Sequence, residues 1–441
     1  MIDHSHPPER PSARGRILAT IAAVERNEAP AVVASFFLFF CVMSGYFAVR
    51  PVRDTVGSLM GRERLADLWI WTWVASIAVI PIYGFLVARF RRSVFLPWTY
   101  GAVALVLVIV GMAFQNGQPG VLLSQIFWVF LSVLNLFIIS VFWSFLLELY
   151  RTEQTRRLFG LIAAGGTAGA LAGPLVTDFA VGRIGNSGVL FMGAALFVGA
   201  ILCQRVLLGL WKSEGTSAAA AGDTRDRAIG GNPLAGVMLV ARSPYLLGIA
   251  SFVFLLASVT TLLYFEQLRL VDIMYPSGVE GMREARTRLF ARLDWIVQSL
   301  TIVAQLFITG RVATRLGLGI LLTMIPAAMV FGFTVLALWN TAAVLLVLMV
   351  ARRAGEYAFV RPGREMLWSP LDKETKYKAK NFVDVPVYRG ADALVAQVQI
   401  GSGVGPTVIA LFGIVTAALW AFNGWWLGRR HDAAAEQRRA A

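Results

Sequence analysis

The residues of this sequence most able to do chemistry are charged side chains inside long apolar runs. A charge at the centre of a membrane-spanning helix costs roughly 2.5–3.5 kcal/mol on insertion scales, so it persists only where it faces a cavity or a partner. Arg352 lies about twelve residues, or ~18 Å of helix, into an apolar run that begins near residue 341. Arginine suits anion binding there, because its planar guanidinium holds two oxygens at once and keeps its charge when desolvated. In the alternative interpretation, Arg352 or Arg353 pairs with Glu356 within the helix and the charges are structural.

Charges within the first, seventh, tenth and eleventh apolar runs together predict a buried anion-binding site. The predicted substrate-binding residues are Tyr46, Arg50, Arg53, Glu266, Arg352, Arg353, Glu356, Arg389 and Asp392. The spacing of Tyr46, Arg50 and Arg53 places all three on one face of a helix. The sequence also allows the first span to end near residue 49, which would leave both arginines at the membrane interface.

Charged residues also cluster between the apolar runs. Four of the five lysines lie between residues 373 and 380, in a segment whose charge predicts a solvated loop. We expect such residues to line a cytoplasmic mouth and to attract anions by long-range steering. The predicted mouth residues are Glu153, Arg157, Lys376, Lys378 and Lys380.

The residues that most often serve catalysis or metal binding are placed unfavourably. His4, His6 and His431 all lie in the terminal segments, and Cys41 and Cys203 lie inside apolar runs. The sequence contains no Ser-His-Asp set and no metal-ligand spacing, so we expect neither an enzyme nor a bound cofactor or metal.

A glycine-rich stretch could be mistaken for a phosphate-binding loop. Gly165, Gly169 and Gly173 lie four residues apart inside an apolar run, without the Gly-Lys-Ser/Thr ending of such a loop. This spacing predicts close packing against another helix.

The composition indicates which elements position the charged residues. Of 441 residues, 57% are hydrophobic and only 15% are charged, and the mean hydropathy is +0.66, values typical of a polytopic membrane protein. The net charge of +14 does not indicate nucleic-acid binding, because the basic residues lie between apolar runs. A helix needs ~20 apolar residues to cross a bilayer. Runs of this kind lie near 29–57, 67–88, 93–114, 120–149, 157–180, 187–211, 244–272, 289–310, 316–338, 341–361, 383–400 and 403–427.

The twelve runs divide into two similar sets of six. Tyr46-Phe47 followed by Asp54 recurs as Tyr264-Phe265 followed by Asp272. Such a repeat predicts an all-α membrane protein with a major-facilitator-like arrangement of six plus six helices and a binding site between them. The predicted units are an N-terminal segment 1–28 with an interfacial helix, a bundle 29–211, a flexible linker 212–243, a second bundle 244–427 and a tail 428–441.

The distribution of arginine predicts the orientation. Basic residues follow the second and fourth spans and precede the first and seventh, so the positive-inside rule places both termini in the cytoplasm. The loop 273–288 is an exception, because Arg283, Arg286 and Arg288 lie on the opposite side.

Several stretches resemble the ATP/ADP translocases of plastids and intracellular bacteria. Tyr46-Phe-Ala-Val-Arg-Pro-Val-Arg-Asp54 resembles the first-span signature of that family. The stretch from Glu365 through Lys380 to Asp384-Val385 resembles its loop before the eleventh helix and the start of that helix, and Arg157-Leu-Phe after Glu153 resembles its loop between the fourth and fifth helices.

The resemblance implies a major facilitator fold that exchanges nucleoside tri- and diphosphates and holds no cofactor. It places Arg53 where the family has a lysine, Glu153 at a family carboxylate, and Lys378 and Lys380 at basic loop positions. The chain departs from the family at Ala391-Asp392, where the family tends to have another lysine. It therefore looks more like free-living bacterial relatives of unassigned substrate.

These observations predict an antiporter for nucleotides or other organic phosphates, working by alternating access in a bacterial inner membrane. The expected partners are the lipid bilayer and a small anion, with a monomer as the default state. One alternative is a proton-coupled transporter of another solute in which Glu266 or Asp392 titrates. Another is a membrane sensor or scaffold that does not transport.

Overall fold

The computed structural model describes residues 24–25, 27–90, 92–117, 119–213, 234–279 and 281–440. The predicted interfacial helix within 1–28 lies almost wholly outside these residues, and so does the predicted linker from 214 to 233. We call residues 27–213 the first half and residues 234–440 the second half.

The described residues form α-helices joined by short turns. The α-helices are α1 Ala29–Leu59, α2 Arg62–Arg89, α3 Arg92–Gln115, α4 Val121–Leu149, α5 Thr152–Ser213, α6 Leu234–Arg242, α7 Pro244–Met274, α8 Met282–Ala304, α9 Gly310–Arg315, α10 Gly317–Leu338, α11 Ala342–Gly355, α12 Arg361–Leu367, α13 Lys373–Phe382, α14 Tyr388–Gly401 and α15 Pro406–Ala440. The π-helical turns Gln305–Thr309, Glu356–Val360 and Val383–Val387 connect α8 to α9, α11 to α12 and α13 to α14.

Within the described residues, nine helices are long and apolar enough to cross a membrane. One of them, Arg157–Leu210, is interrupted at Gly185, whose φ of 66° lies in the region that favours glycine. Two further helical stretches, 342–367 and 373–401, each contain a π-helical turn. The chain is therefore an all-α integral membrane protein, as predicted, whereas the count of twelve spans stays a prediction.

The helix α1 continues to Leu59, with Pro51 in its interior. The helix therefore does not end near residue 49, whereas the position of Arg50 and Arg53 relative to the membrane interface stays a prediction. Val52, Val56 and the buried polar residues that follow keep the last turns packed inside the protein.

Two segments predicted to be loops are partly helical. The lysines between 373 and 380 lie on α13, because the side chain of Asp372 accepts a hydrogen bond from the backbone N–H of Thr375 at 2.9 Å and so caps this helix. Helix α8 begins at Met282, inside the predicted loop 273–288. In both cases the charged residues predicted a loop, although they lie on the end of a helix.

Each half has its own hydrophobic core. One cluster of buried side chains contains residues between 31 and 207, and another contains residues between 240 and 427. A smaller third cluster joins the halves, with Trp69 and Trp128 from the first half against Phe265 and Phe290 from the second. The predicted bundle boundaries stay predictions.

The glycines of α5 allow a close approach of α1, as the four-residue spacing predicts. A Cβ added at Gly165, Gly169 or Gly173 would collide with a backbone carbonyl oxygen of α1, that of Phe36, Phe40 or Ser44 in turn. The prediction of close helix packing is confirmed.

We expect Gly169→Leu to lower the free energy of unfolding by about 1–3 kcal/mol, because the added side chain must push the backbones of α5 and α1 apart. The measurement is thermal unfolding of the purified protein in detergent. Gly160→Leu is the matched control on the same helix, since a Cβ there meets no atom within 4 Å. Equal melting temperatures for the two variants would contradict the prediction.

Candidate functional site

Two of the predicted arginines lie on α1 of the first half, and one of them, Arg50, is close to a carboxylate of the second half. On α1, the guanidinium of Arg53 donates to Asp54 Oδ1 from Nε at 3.1 Å and from Nη2 at 2.5 Å. Arg50 Nε lies 4.0 Å from Asp54 Oδ2 and 3.8 Å from Asp294 Oδ2 on α8. The side chains of Arg50 and Arg53 are 18% and 13% exposed, so both are largely buried and yet reachable.

Asp294 joins these arginines to the tenth predicted span. Its side chain is 2% exposed, and its Oδ1 accepts a short hydrogen bond from Arg353 Nη2 on α11. Its Oδ2 accepts no hydrogen bond from the residues that the structure describes and lies 3.8 Å from Arg50 Nε. We call Arg50, Arg53, Asp54, Asp294 and Arg353 the central cluster. It contains three guanidinium groups and two carboxylates, and it lies between the two halves.

Arg352 forms the pair that the sequence allowed as the structural alternative. Its Nη1 donates to Glu356 Oε2 at 2.7 Å and to Thr260 Oγ1 of α7 at 2.8 Å. Arg353 does not take part in this pair, since it bonds to Asp294. The two adjacent arginines therefore have different partners: Arg352 pairs within its own helical stretch, whereas Arg353 pairs with Asp294 of α8, which also faces Arg50 of the first half.

Glu356 begins a π-helical turn, a feature that often marks functional positions. Side chains of the neighbouring π-helical turn support it. Gln305 Nε2 donates to the carbonyl oxygen of Tyr357 at 3.1 Å, and Thr309 Oγ1 donates to that of Ala358 at 2.9 Å. Hydrogen bonds from the π-helical turn Gln305–Thr309 thus stabilise the backbone of the π-helical turn that begins at Glu356.

Among the described residues, neither Glu266 nor Tyr46 forms a hydrogen bond or ion pair with the central cluster. Glu266, which is 2% exposed, accepts from Arg269 Nε at 2.9 Å and from Asn340 Nδ2 at 3.2 Å. Tyr46 is buried on α1 beside Phe47, with ring centroids 5.4 Å apart. The described contacts of Glu266 thus lie within the second half and do not include the central cluster.

Asp392 and Arg389 connect α14 to the first half. Asp392 is 1% exposed and accepts from Thr261 Oγ1 at 2.9 Å and, at the long distance of 3.5 Å, from Arg389 Nη1. Arg389 Nη2 donates to the carbonyl oxygen of Ser132 on α4 at 3.1 Å. The hydroxyl of Ser132 also lies 3.3 Å from Arg53 Nη1, so Ser132 contacts arginines from both halves.

Two of the predicted mouth residues pair within their own halves. Arg157 donates to Glu28 at 2.7 Å, and Lys380 pairs with Glu365 at 2.5 Å. Glu153 is exposed, and Lys376 and Lys378 are half-buried on α13. A common mouth formed by these five residues stays a prediction.

Sequence reasoning predicts Glu356 as a partner of Arg352 but does not include Asp54 and Asp294 in the site. Asp54 and Asp294 were visible as carboxylates within apolar runs, and that signal could have placed them in the site. Thr260 has no such signal, because a threonine is common in any spanning helix. Arg361 stands at the predicted end of the tenth run, where an arginine is usually interfacial.

The far side of the molecule, where α1 ends at Leu59 and α8 begins, is closed by hydrogen bonds between the halves. The hydroxyls of Thr55 and Thr287 are 2.7 Å apart, and Thr287 also donates to Asn186 at 2.7 Å. Arg286, 1% exposed, donates to Ser58 Oγ at 2.8 Å and pairs with Asp272 at 2.7 Å. Arg286, one of the three arginines that break the predicted charge pattern, therefore has a buried structural role.

A second far-side contact is centred on Asp178 of α5. Its carboxylate accepts from Arg292 Nε and Nη2 at 3.2 Å each and from Trp295 Nε1 at 3.0 Å. Its backbone carbonyl accepts from Arg288 Nε at 3.3 Å. Among the residues that the structure describes, the hydrogen bonds and ion pairs between the halves lie at the centre and on this far side.

Comparison with known proteins identifies the fold. No protein-family model matches the sequence, and no curated protein does. A bacterial homologue of the iron transporter ferroportin in an inward-facing state is 12% identical, with 91% of this chain and 98% of that chain covered and a TM-score of 0.61. A POT family transporter in complex with 5-aminolevulinic acid is 12% identical over 91% and 96% of the chains, also with a TM-score of 0.61. The chain has a major-facilitator-like fold. The nucleoside transporter NupG, 14% identical over 91% and 99% of the chains with a TM-score of 0.59, shares this fold.

At these identities the likeness concerns the major-facilitator-like fold alone. The predicted fold class is confirmed. The narrower resemblance to ATP/ADP translocases is supported by the quoted stretches of sequence and by none of these three structures, so it stays a prediction.

Proposed function

We propose that this protein is a secondary transporter that exchanges small organic phosphate anions, nucleotides first, by alternating access. The observation that carries the proposal is the central cluster, in which three arginines share two aspartates between the halves. The membrane location and the transporter fold of the structural neighbours support it.

The excess of positive charge is the reason to expect an anion. A buried cation without a counter-charge is unfavourable, so a ligand that supplies negative charge stabilises the cluster. Arg50 and Arg53 keep part of their surface exposed, and guanidinium groups bind phosphate oxygens in bidentate geometry. Arg50, Arg53 and Arg353 therefore bind the substrate in this proposal, and Asp54 and Asp294 hold the arginines between transport steps.

The same electrostatics favour exchange over one-way release. An emptied site leaves an uncompensated charge that resists enclosure between the halves, whereas a second anion restores neutrality. The proposed location is the inner membrane of a bacterium with both termini in the cytoplasm, so the closed far side faces the periplasm.

Counterflow in liposomes tests the proposal. We expect labelled ATP to enter proteoliposomes loaded with ADP or phosphate and to be excluded from liposomes loaded with buffer alone. Liposomes without protein are the control for leakage. Uptake that is independent of the internal anion would contradict exchange, and absence of both uptake and anion-induced thermal stabilisation would indicate a sensor or scaffold.

Asp392 favours proton coupling as a second candidate function. It is a fully buried carboxylate held by one hydroxyl and one long arginine contact, and that arginine also donates to the first half. Separation of the halves would therefore change the surroundings of Asp392. Uptake that follows an imposed pH gradient and ignores the internal anion would favour this candidate.

A further inference from the structure

Arg361 is an arginine that the central cluster does not include. It follows the π-helical turn Glu356–Val360 directly, and its guanidinium carbon lies 4.9 Å from the centre of the Tyr357 ring. Its side chain is exposed, although the three residues before it, 358–360, are buried. Among the described residues, no carboxylate oxygen lies within the 4.0 Å of an ion pair from Arg361.

Arg361 has polar neighbours on its own helical stretch and near the start of the next span. The Tyr357 ring lies against its guanidinium, and Arg364, one turn further along the helix, pairs with Asp384 at 3.5 Å. An arginine in hydrocarbon would lack such neighbours. Its exposure therefore indicates access from solvent on the side of the molecule opposite the closed far side.

Tyr357 connects Arg361 to the central cluster. Tyr357 follows Arg353 by four residues, about one helical turn, and its ring lies against Arg361 four residues further on. Arg361 follows Arg353 by about two helical turns, or ~12 Å along the axis. Arg353 and Arg361 thus place cationic groups at two depths along this helical stretch, with Tyr357 between them.

We infer that Arg361 and Tyr357 form a second anion subsite, so that the substrate is an extended anion with two or more negative groups. The inference rests on the proposed function, in which the central cluster binds the first group. A chain of phosphates reaches from Arg50 and Arg353 past the Tyr357 hydroxyl to Arg361, whereas a single orthophosphate occupies the central cluster alone. The guanidinium of Arg361, stacked on the tyrosine ring, is already oriented to receive the second group.

Titration of purified protein with orthophosphate, pyrophosphate and tripolyphosphate tests the subsite. For Arg361→Gln we expect the Kd of tripolyphosphate to rise about tenfold or more, as for the loss of a charge-assisted hydrogen bond, with the Kd of orthophosphate within about twofold of wild type. Arg361→Lys keeps the charge and should recover part of the loss. Arg364→Gln is the matched control, since it removes the same charge one turn along the helix from an ion pair with Asp384.

The outcomes separate the subsite from the proposed function. Equal losses for orthophosphate and tripolyphosphate in Arg361→Gln, or equal effects in Arg361→Gln and Arg364→Gln, would overturn the subsite and leave the central cluster in place. Failure of wild-type protein to bind any of the three anions would overturn the proposed function itself. Thermal unfolding of each variant checks that the fold is intact.

Discussion

Asp294→Ala is expected to destabilise the protein by roughly 3–5 kcal/mol, the cost of breaking a buried ion pair by removing one partner. Asp294 is 2% exposed and faces both Arg353 and Arg50. Its removal leaves Asp54 as the one carboxylate of the central cluster opposite three guanidinium groups. We expect a clear fall in melting temperature in detergent and loss of counterflow in liposomes.

The anion site predicts how this loss can be reversed. Saturating tripolyphosphate should restore a larger part of the melting temperature to Asp294→Ala than it adds to wild type, because the ligand replaces the missing negative charge. The double variant Asp294→Ala/Arg353→Met should melt close to wild type, since an apolar replacement of both partners removes the uncompensated charge.

Two control variants distinguish an effect on stability from an effect on transport. Asp67→Ala removes an exposed carboxylate that accepts from Gln397 across the halves at 3.1 Å, and it should melt like wild type. The double variant should fold but fail to exchange anions. A single Asp294→Ala variant that melts and transports like wild type would show that the pair with Arg353 has no part in either property.

The sequence was sufficient to predict the fold class and the burial of Arg352 and Arg353, because both depend on local chemistry. Apolar runs longer than a bilayer requires form helices, and arginines within them need partners. The identity of the partners depends on tertiary structure. Arg353 has Glu356 nearby in sequence but pairs with Asp294, which lies 59 residues away, and no periodicity within a helix reports such a contact.

Boundaries were harder to predict where charged residues continue a helix beyond the apolar run. The lysines of α13 and the arginines at the start of α8 lie on helix ends that are capped or paired by neighbouring residues. The π-helical turn at Glu356 has no sequence signature of its own, since the hydrogen bonds that hold it come from Gln305 and Thr309. Arg361 became a candidate only when that turn was known.

Asp178→Asn is expected to open the far side of the molecule. In the closed arrangement the Asp178 carboxylate of the first half accepts three hydrogen bonds from Arg292 and Trp295 of the second half. Hydrogen bonds to a charged group contribute about 1.5–3 kcal/mol each, but Arg292 is 55% exposed, so its share is screened by solvent. A net loss of about 1.4 kcal/mol would shift the equilibrium between closed and open forms by a factor of about ten.

Distances between spin labels on the two halves measure this equilibrium. Cysteines introduced at Leu122 and Val279, which are 70% and 53% exposed near the far side, would carry the labels after Cys41 and Cys203 are replaced by alanine. We expect Asp178→Asn to add or enlarge a population at longer distance. Counterflow should slow as well, since each cycle must close this side again.

Asp67→Asn is the matched control for the gate, because it makes the same chemical change at an exposed carboxylate that also bonds across the halves. An exposed hydrogen bond contributes little to the balance between two states. The distance distribution of Asp67→Asn should therefore equal that of the spin-labelled protein without this substitution. If both variants shift the distribution equally, general loss of negative charge on the far side is the cause. If neither does, Asp178 does not hold the halves together, and the buried contacts of Thr287 and Arg286 are then sufficient to keep this side closed.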